Sequence, residues 1–286
     1  MLRLGYNTNG FNCHSLDSAL EIISATGYQG VAITLDNYIL NPWDPDLKRK
    51  LEHTAENLKK YSLSCVIETG SRFLLNPWKK HDPTLISRDA EGRQMRLDFL
   101  KKALEIAGRL NAEALSFWSG RKHKGVDDGR AWEWLIAGCR ELSNDAEKYA
   151  LPLAFEPEPD MFVENLSQYR RLKDAVGSDF FGLTMDVGHA FLTEKTSVGE
   201  CIRRLKDEIR NIHIEDMKKS VHHHLFFGEG EIDFADIFKA LGNVNCNPLV
   251  NVELSRHSHN AVDVAKASFE YLKQLESFQG PISSGD

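Results

Sequence analysis

The chain is poor in cysteine. Its five, Cys13, Cys65, Cys139, Cys201 and Cys246, are odd in number, far apart, and include no CxxC pair. That spacing argues against a disulfide framework and fits a reducing compartment. No apolar stretch approaches 18 residues, so no membrane-spanning helix is expected. Positive charge is not in excess: 35 Lys and Arg stand against 42 Asp and Glu, giving an evenly spread net charge of −7. Phosphate binding normally needs a basic face, so the balance weighs against nucleic acid as a partner. There is no glycine-rich fingerprint after the first apolar run, no GxSxG elbow, no Walker loop and no Cys/His pairing for nucleophilic catalysis. Met1 leads straight into an apparent strand, so no signal peptide is expected, and the cytoplasm is the expected compartment.

What the sequence does contain is one cycle repeated eight times. Short apolar runs at Leu4–Asn7, Gly30–Thr34, Ser64–Glu68, Ala114–Trp118, Pro152–Glu156, Gly182–Asp186, Asn211–Ile214 and Leu249–Glu253 alternate with stretches of helical spacing. Leu16, Leu20 and Ile23 fall at i, i+4 and i+7, with Ser15 as N-cap and Gly27 as stop. Leu135, Cys139, Leu142, Ala146 and Tyr149 form a second stripe, Phe234, Ile237, Phe238 and Leu241 a third, and Ala265, Phe269, Leu272 and Leu275 a last one. Eight βα units in strict alternation predict a parallel sheet closed on itself, a (β/α)₈ barrel. The 286 residues lie near the roughly 250 typical of that fold. An open doubly wound sheet is the rival. The barrel is expected to span residues 1–278 as one domain, with 279–286 a disordered tail. The one long irregular segment, Thr69 to about Arg93, follows the third strand and is expected to cover the mouth. There Arg72, Asn76, Lys79, Lys80 and His81 would meet ligand, while Phe73 and Trp78 exclude solvent.

Catalytic groups of such a barrel sit at the carboxyl ends of the strands. Here strand three ends in Glu68, five in Glu156, six in Asp186 and eight in Glu253, while His213 lies near the end of seven. A carboxylate closing an apolar strand enters a crowded, partly dry mouth and needs a counter-charge. The nearest bases, Arg121, Lys122, Lys218 and Arg256, are in flanking loops. Glu156, Asp186, His213 and Glu253 therefore read as a divalent metal site. Mixed oxygen and nitrogen donors suit Mn²⁺ or Zn²⁺, with Fe²⁺ and Co²⁺ as alternatives, better than Ca²⁺. The competing reading makes them rim residues paired with loop lysines and arginines. His189 follows Asp186, and His222, His223 and His224 precede Gly228-Glu229-Gly230. In an extended segment His222 and His224 share one side and His223 takes the other, so His189, His222 and His224 are candidates for a second metal or a substrate clamp. Glu68, Trp118 and Arg256 are candidate substrate contacts. Trp132 and Trp134 read as packing. Asp216 is read as pairing with Lys218 or Lys219, without a role.

The runs Glu156-Pro157, Met185-Asp186-Val187-Gly188-His189, Ile212-His213-Ile214, Val252-Glu253 and Gly228-Glu229-Gly230-Glu231-Ile232-Asp233-Phe234 resemble the xylose-isomerase-like TIM-barrel superfamily, in order and over nearly the whole chain. That group includes sugar isomerases and epimerases, inosose-type isomerases and AP endonucleases of the endonuclease IV type. The resemblance implies that Glu156, Asp186, His213 and Glu253 are the shared metal ligands and that His189 contacts substrate or a second metal. Ketose epimerases usually carry an arginine four residues before the glycine equivalent to Gly228; this chain has His224. The endonuclease branch has Asp-Arg-His where this chain has His222-His223-His224, and histidines where it has Glu68 and Trp118.

The expected function is a divalent-metal-dependent isomerase or epimerase of a small keto-sugar, keto-polyol or sugar phosphate, working through an enediolate with Glu156 and Glu253 as acid and base. The alternative is a metal-dependent phosphoester hydrolase, and a third reading is a non-catalytic sugar-binding barrel. The expected partner is a small molecule; a homo-oligomer stays open.

Overall fold

Each of the eight apolar runs forms a strand in the computed structural model, which describes residues 2–244 and 247–278. They are β1 (Arg3–Asn7), β2 (Gly30–Thr34), β3 (Ser64–Glu68), β4 (Leu115–Trp118), β5 (Leu153–Glu156), β6 (Phe181–Asp186) and β7 (Ile209–Ile214). A hairpin of β8 (Asp216–Lys218) and β9 (Val221–Leu225) follows, and β10 (Leu249–Val252) is the eighth barrel strand. The barrel closes in the order β1-β10-β7-β6-β5-β4-β3-β2, with every pair parallel. The open-sheet rival is thereby excluded. The hairpin was not foreseen; its strands pair antiparallel outside the barrel.

Strand alternation divides the side chains by size. Ile33, Ile67, Phe117, Phe155, Leu183, Ile212 and Val252 join the apolar layer beneath the helices. The opposite parity, facing the barrel axis, is small or polar. Val66, Ala114, Ala154 and Leu249 form a separate apolar plug. Above it lie Asn211, Asn251, Ser116 and Thr184, joined by hydrogen bonds, and above these are the charged strand ends. The interior thus passes from dry to charged along the axis, which keeps the polar groups away from the closed end.

The helices are α1 (Leu16–Thr26), α2 (Leu47–Lys60), α3 (Ala90–Arg109), α4 (Asp128–Tyr149), α5 (Leu166–Val176), α6 (Val187–Thr193), α7 (Val198–Leu205), α8 (Phe234–Leu241) and α9 (Ala261–Phe278). Ser15 caps α1 by accepting from Ser18 N–H, and Gly27 ends it at φ +110°, a conformation that favours glycine. The stripe on α4 is buried as expected except for Tyr149, which is exposed in the last turn. No helix of the described residues is long and apolar enough to cross a membrane. Cys13, Cys65, Cys139 and Cys201 are unpaired; Cys246 and the expected tail at 279–286 lie outside the described residues.

The segment after β3 is shorter than expected, because Asp89 caps α3 by accepting from Gly92 N–H and the helix begins at Ala90. Arg96 of α3, almost fully buried, holds the segment from beneath. It donates to the carbonyls of Pro83 (2.7 Å) and His81 (2.7 Å) and to Ser71 Oγ (3.1 Å). Arg72, Lys80 and His81 line the pocket below, but Asn76 and Lys79 do not. The expected solvent screen of Phe73 and Trp78 is not formed: they are 45% and 89% exposed and do not line the pocket. Arg96 fixes the loop through polar contacts, so these rings are not needed to anchor it.

Candidate metal and substrate site

The strand ends open into a pocket of about 820 Å³, within the range of small-molecule sites. Ligand atoms of Glu156, Asp186, His213 and Glu253 lie within 4.8 Å of one another at its floor, where Glu156, His213 and Glu253 line the pocket and Asp186 is buried behind them. His213 Nδ1 is 2.8 Å from Glu253 Oε2, 3.3 Å from Glu156 Oε1 and 3.8 Å from Asp186 Oδ2. Asp186 divides its carboxylate: Oδ1 caps α6 by accepting from His189 N–H (2.7 Å), while Oδ2 is buried with no hydrogen-bond partner among the described residues. Glu253 Oε1 accepts from Asn9 Nδ2 (2.7 Å).

His213 is set from behind. Its Nε2 donates to Glu68 Oε1 at 2.8 Å, an oxygen that also accepts from Asn211 Nδ2 at 2.9 Å. A carboxylate can only accept, so Nε2 carries hydrogen, and the ring is turned with Nδ1 toward the floor carboxylates. Burial alone would raise Glu156 and Glu253. His213 and its histidine neighbours outweigh it, holding Glu156 at about 2 and Glu253 well below the usual carboxylate range. Burial pushes Asp186 up to about 6 against the pull of His189, with repulsion from Glu156 and Glu253 adding to the rise. Burial would lower His213, yet the surrounding carboxylates raise it well above the ordinary imidazole value. Three carboxylates around one imidazole, with a buried oxygen left unpartnered, form a donor set that fits a divalent cation.

The three histidines also meet. Ligand nitrogens of His189, His222 and His224 lie within 4.8 Å of one another. His189, in the first turn of α6, puts Nε2 2.9 Å from His222 Nε2, while its Nδ1 lies 3.4 Å from Glu156 and 3.5 Å from Asp186. His224 Nδ1 donates to the Glu253 carbonyl (3.0 Å), leaving Nε2 as its acceptor nitrogen. On β9 His222 and His224 are half-buried and His223 is exposed. Burial and the two neighbouring histidines hold His222 down at about 4.

Of the other candidates, Trp118 and Arg256 line the pocket, Arg256 from an exposed position. Glu68 also lines it, with one carboxylate oxygen engaged by His213 and Asn211. Trp132 is buried and Trp134 packs against the core. Among the loop bases, Arg121 pairs with Asp160 and Lys122 with Asp128. The carboxylates of the floor pair with imidazoles instead, against the reading of them as rim residues tied to loop bases. Asp216 makes neither expected ion pair. It is buried and accepts from the N–H groups of Gly228 (2.9 Å), Gly230 (2.9 Å) and Ile232 (3.2 Å), folding the glycine run back on the hairpin. Backbone donors satisfy a buried carboxylate without desolvating a lysine.

Two acids were not foreseen. Glu215 is fully buried; Oε1 accepts from Gly188 N–H (2.9 Å) and Oε2 lies 3.9 Å from His224 Nδ1. Burial, with repulsion from Asp186, raises its carboxyl well above the ordinary value. A Cβ on Gly188 would come within 2.2 Å of that Oε1, so any larger residue there would displace the Glu215 carboxylate. Glu158, half-buried in the pocket wall, is raised to about 7, mainly by burial. Strand parity was the available signal for Glu215, which has the parity of Asn211 and His213. No pattern marked Glu158, which lies beyond its strand.

The barrel, its strand-end ligands and its family agree: the chain belongs to the xylose isomerase-like TIM-barrel family, whose model matches residues 7–275. Relatives include a protein of unassigned function from Methanocaldococcus jannaschii, 25% identical over 81% of this chain and 94% of that one. An inosose dehydratase of Mesomycoplasma hyopneumoniae is 23% identical over 92% of this chain and 90% of its own. Similar solved structures are the IolI protein with a bound zinc atom (TM-score 0.77, 18% identity, 97% of this chain and 99% of that one) and an L-ribulose 3-epimerase (TM-score 0.78, 18% identity, all of both chains). Sugar epimerases and a dehydratase are thus among the proteins this chain is similar to. At these identities the solved structures bear on the fold.

Proposed function

We propose that the chain is a divalent-metal-dependent isomerase or epimerase of a small keto-sugar, keto-polyol or sugar phosphate. The observation that carries this reading is the convergence of Glu156, His213 and Glu253 on the floor of a polar pocket with the buried Asp186 behind them, its Oδ2 without a hydrogen-bond partner among the described residues. The donors suit Mn²⁺ or Zn²⁺, with Fe²⁺ and Co²⁺ as alternatives. A bound ion supplies Lewis-acid polarisation of a carbonyl and its neighbouring hydroxyl.

The protein's own groups handle the proton. Glu156 ends β5 and Glu253 follows β10, three strands apart in the closed order, so the two carboxylates reach the substrate from different sides. One takes the proton from the carbon beside the carbonyl, and the C–H electron pair becomes a carbon–carbon double bond as the carbonyl pair moves onto oxygen. Return of a proton to the other face of that carbon inverts it. Return to the former carbonyl carbon moves the carbonyl instead. Dehydration of a keto-polyol begins with the same abstraction, consistent with the relative named for it.

The meeting of His189, His222 and His224 favours a second reading, phosphoester hydrolysis with a further metal on these imidazoles. Under the first reading the same trio clamps substrate hydroxyls. Glu68 and Trp118 at the ends of β3 and β4 favour the first.

His213→Ala and Glu253→Gln are each expected to remove most bound metal and nearly all turnover of ketoses, read by elemental analysis and by product chromatography. Full metal content with unchanged turnover would end the assignment. A His222→Ala/His224→Ala double variant separates the readings. Loss of one of two metals together with phosphoesterase activity favours hydrolysis; one metal retained with weakened ketose binding favours the clamp.

A further inference from the structure

His81 stands apart from the acid floor, on the loop after β3, a strand four positions from β7 either way round the barrel. Its backbone is left-handed at φ +70°, and Ser71 in the same loop has φ +39°. Non-glycine residues seldom adopt this conformation, because it crowds the Cβ against the backbone. The buried Arg96 grips both residues, Ser71 at Oγ and His81 at the carbonyl. The His81 ring stands edge-on to Trp118, with centroids 5.3 Å apart at 87°, and Arg96 lies 5.1 Å over the same indole. The ring is therefore held at its backbone, at its face and by the loop beneath it, and it lines the pocket.

The hydrogen bond to Gly70 fixes the tautomer. Nδ1 is 2.8 Å from the Gly70 carbonyl, which can only accept, so Nδ1 carries the hydrogen. Nε2 then bears a lone pair, and it meets no hydrogen-bonding partner among the described residues. Burial, helped by Lys80, Arg96 and Arg72, holds the imidazole down at about 4, so the ring is neutral at pH 7. A neutral ring with a free lone pair accepts from a hydroxyl. It has nothing to donate to a carboxylate, a phosphate or a carbonyl.

We propose that His81 is a specificity residue whose Nε2 accepts a hydrogen bond from a substrate hydroxyl, on the side of the pocket opposite His213, with Arg96 and Trp118 as its positioning residues. The inference rests on the reading of the pocket as a polyhydroxy-ketone site and adds what recognises the remote end of the chain. That end carries a hydroxyl at His81.

The test has two arms. ¹⁵N NMR of histidine-labelled protein reads the tautomer without any substrate, and the Nδ1–H form is expected at pH 7. Kinetics with added Mn²⁺ then use D-tagatose, D-allulose, D-fructose and L-ribulose as probes. His81→Phe keeps a ring edge against Trp118 but removes the acceptor; His81→Gln keeps an acceptor near the Nε2 position. His81→Phe is expected to raise KM about tenfold, the scale of one hydrogen bond, with kcat within about threefold, and His81→Gln to recover most of the loss. Bound metal is expected to be the same in all three proteins. An Nε2-protonated ring, an unchanged KM in His81→Phe, or equal damage in both variants would overturn the proposal while leaving the metal reading intact. No turnover of any probe by the metal-loaded wild type would overturn the parent reading, and this one with it.

Discussion

Glu68 shows how a residue behind a candidate metal site can set the geometry of that site. Its Oε1 takes the hydrogen of His213 Nε2, which turns Nδ1 toward the three carboxylates and adds negative charge behind the ring. Such partners orient ligating imidazoles and raise their basicity. Glu68→Ala is expected to weaken metal binding about 10- to 100-fold, with Glu68→Gln at the lower end because an amide oxygen still accepts. Competition against a chelating dye measures this without substrate. Unchanged affinity in both variants would return Glu68 to the role of a substrate contact. Asp186 works on two levels, because the oxygen that caps α6 also fixes where the other oxygen can point. His189 is placed by the same cap. A single side chain thus couples the start of a helix to the floor of the pocket.

At the scale of elements, the parts not seen in the periodicity are those built from polar contacts. The loop at 69–89 buries Leu85 and Ile86 in the core, and Arg96 grips it through three acceptors. Arg96→Met leaves those acceptors without their donor. The expected cost is about 3 kcal/mol, from buried groups left unsatisfied. Hydrogen exchange is expected to rise across 69–89 while the barrel strands stay protected. If exchange in the loop did not change, Arg96 would be a packing residue only. The hairpin β8–β9 depends similarly on Asp216, whose oxygens collect backbone N–H groups from the glycine run and so carry His222 and His224 to the pocket. Hydrophobic patterning is silent about both, since neither buries an amphipathic face.

For the whole molecule, the barrel axis sets stability against function. Asn211, Asn251, Glu68, Thr184 and Ser116 occupy interior positions that apolar side chains would fill in a barrel built for stability alone. Crowded carboxylates above them repel one another, and a divalent ion relieves that repulsion. An ion present at about a thousand times its Kd stabilises by roughly 4 kcal/mol. Stripping it with a chelator is therefore expected to lower Tm by about 5–10 °C, with recovery on adding Mn²⁺ or Zn²⁺. A Tm indifferent to both treatments, with no metal found by elemental analysis, would remove the metal from the reading.

The amino-acid sequence by itself determined the eight strands and their alternation with helices, because short apolar runs alternate with helical stripes. Closure into a barrel rather than an open doubly wound sheet was decided by the strand pairing. The sequence also marked the four floor residues, because a charged group ending an apolar strand has one place to go. Three-dimensional packing decided the rest. The orientation of His213, the burial of Glu215 and the duty of Asp216 all depend on partners distant in the chain, such as Glu68 for His213 and Gly188 for Glu215. Periodicity reports which face of an element is apolar. It carries no record of which distant donor meets which acceptor, and that pairing is what turns strand ends into a site.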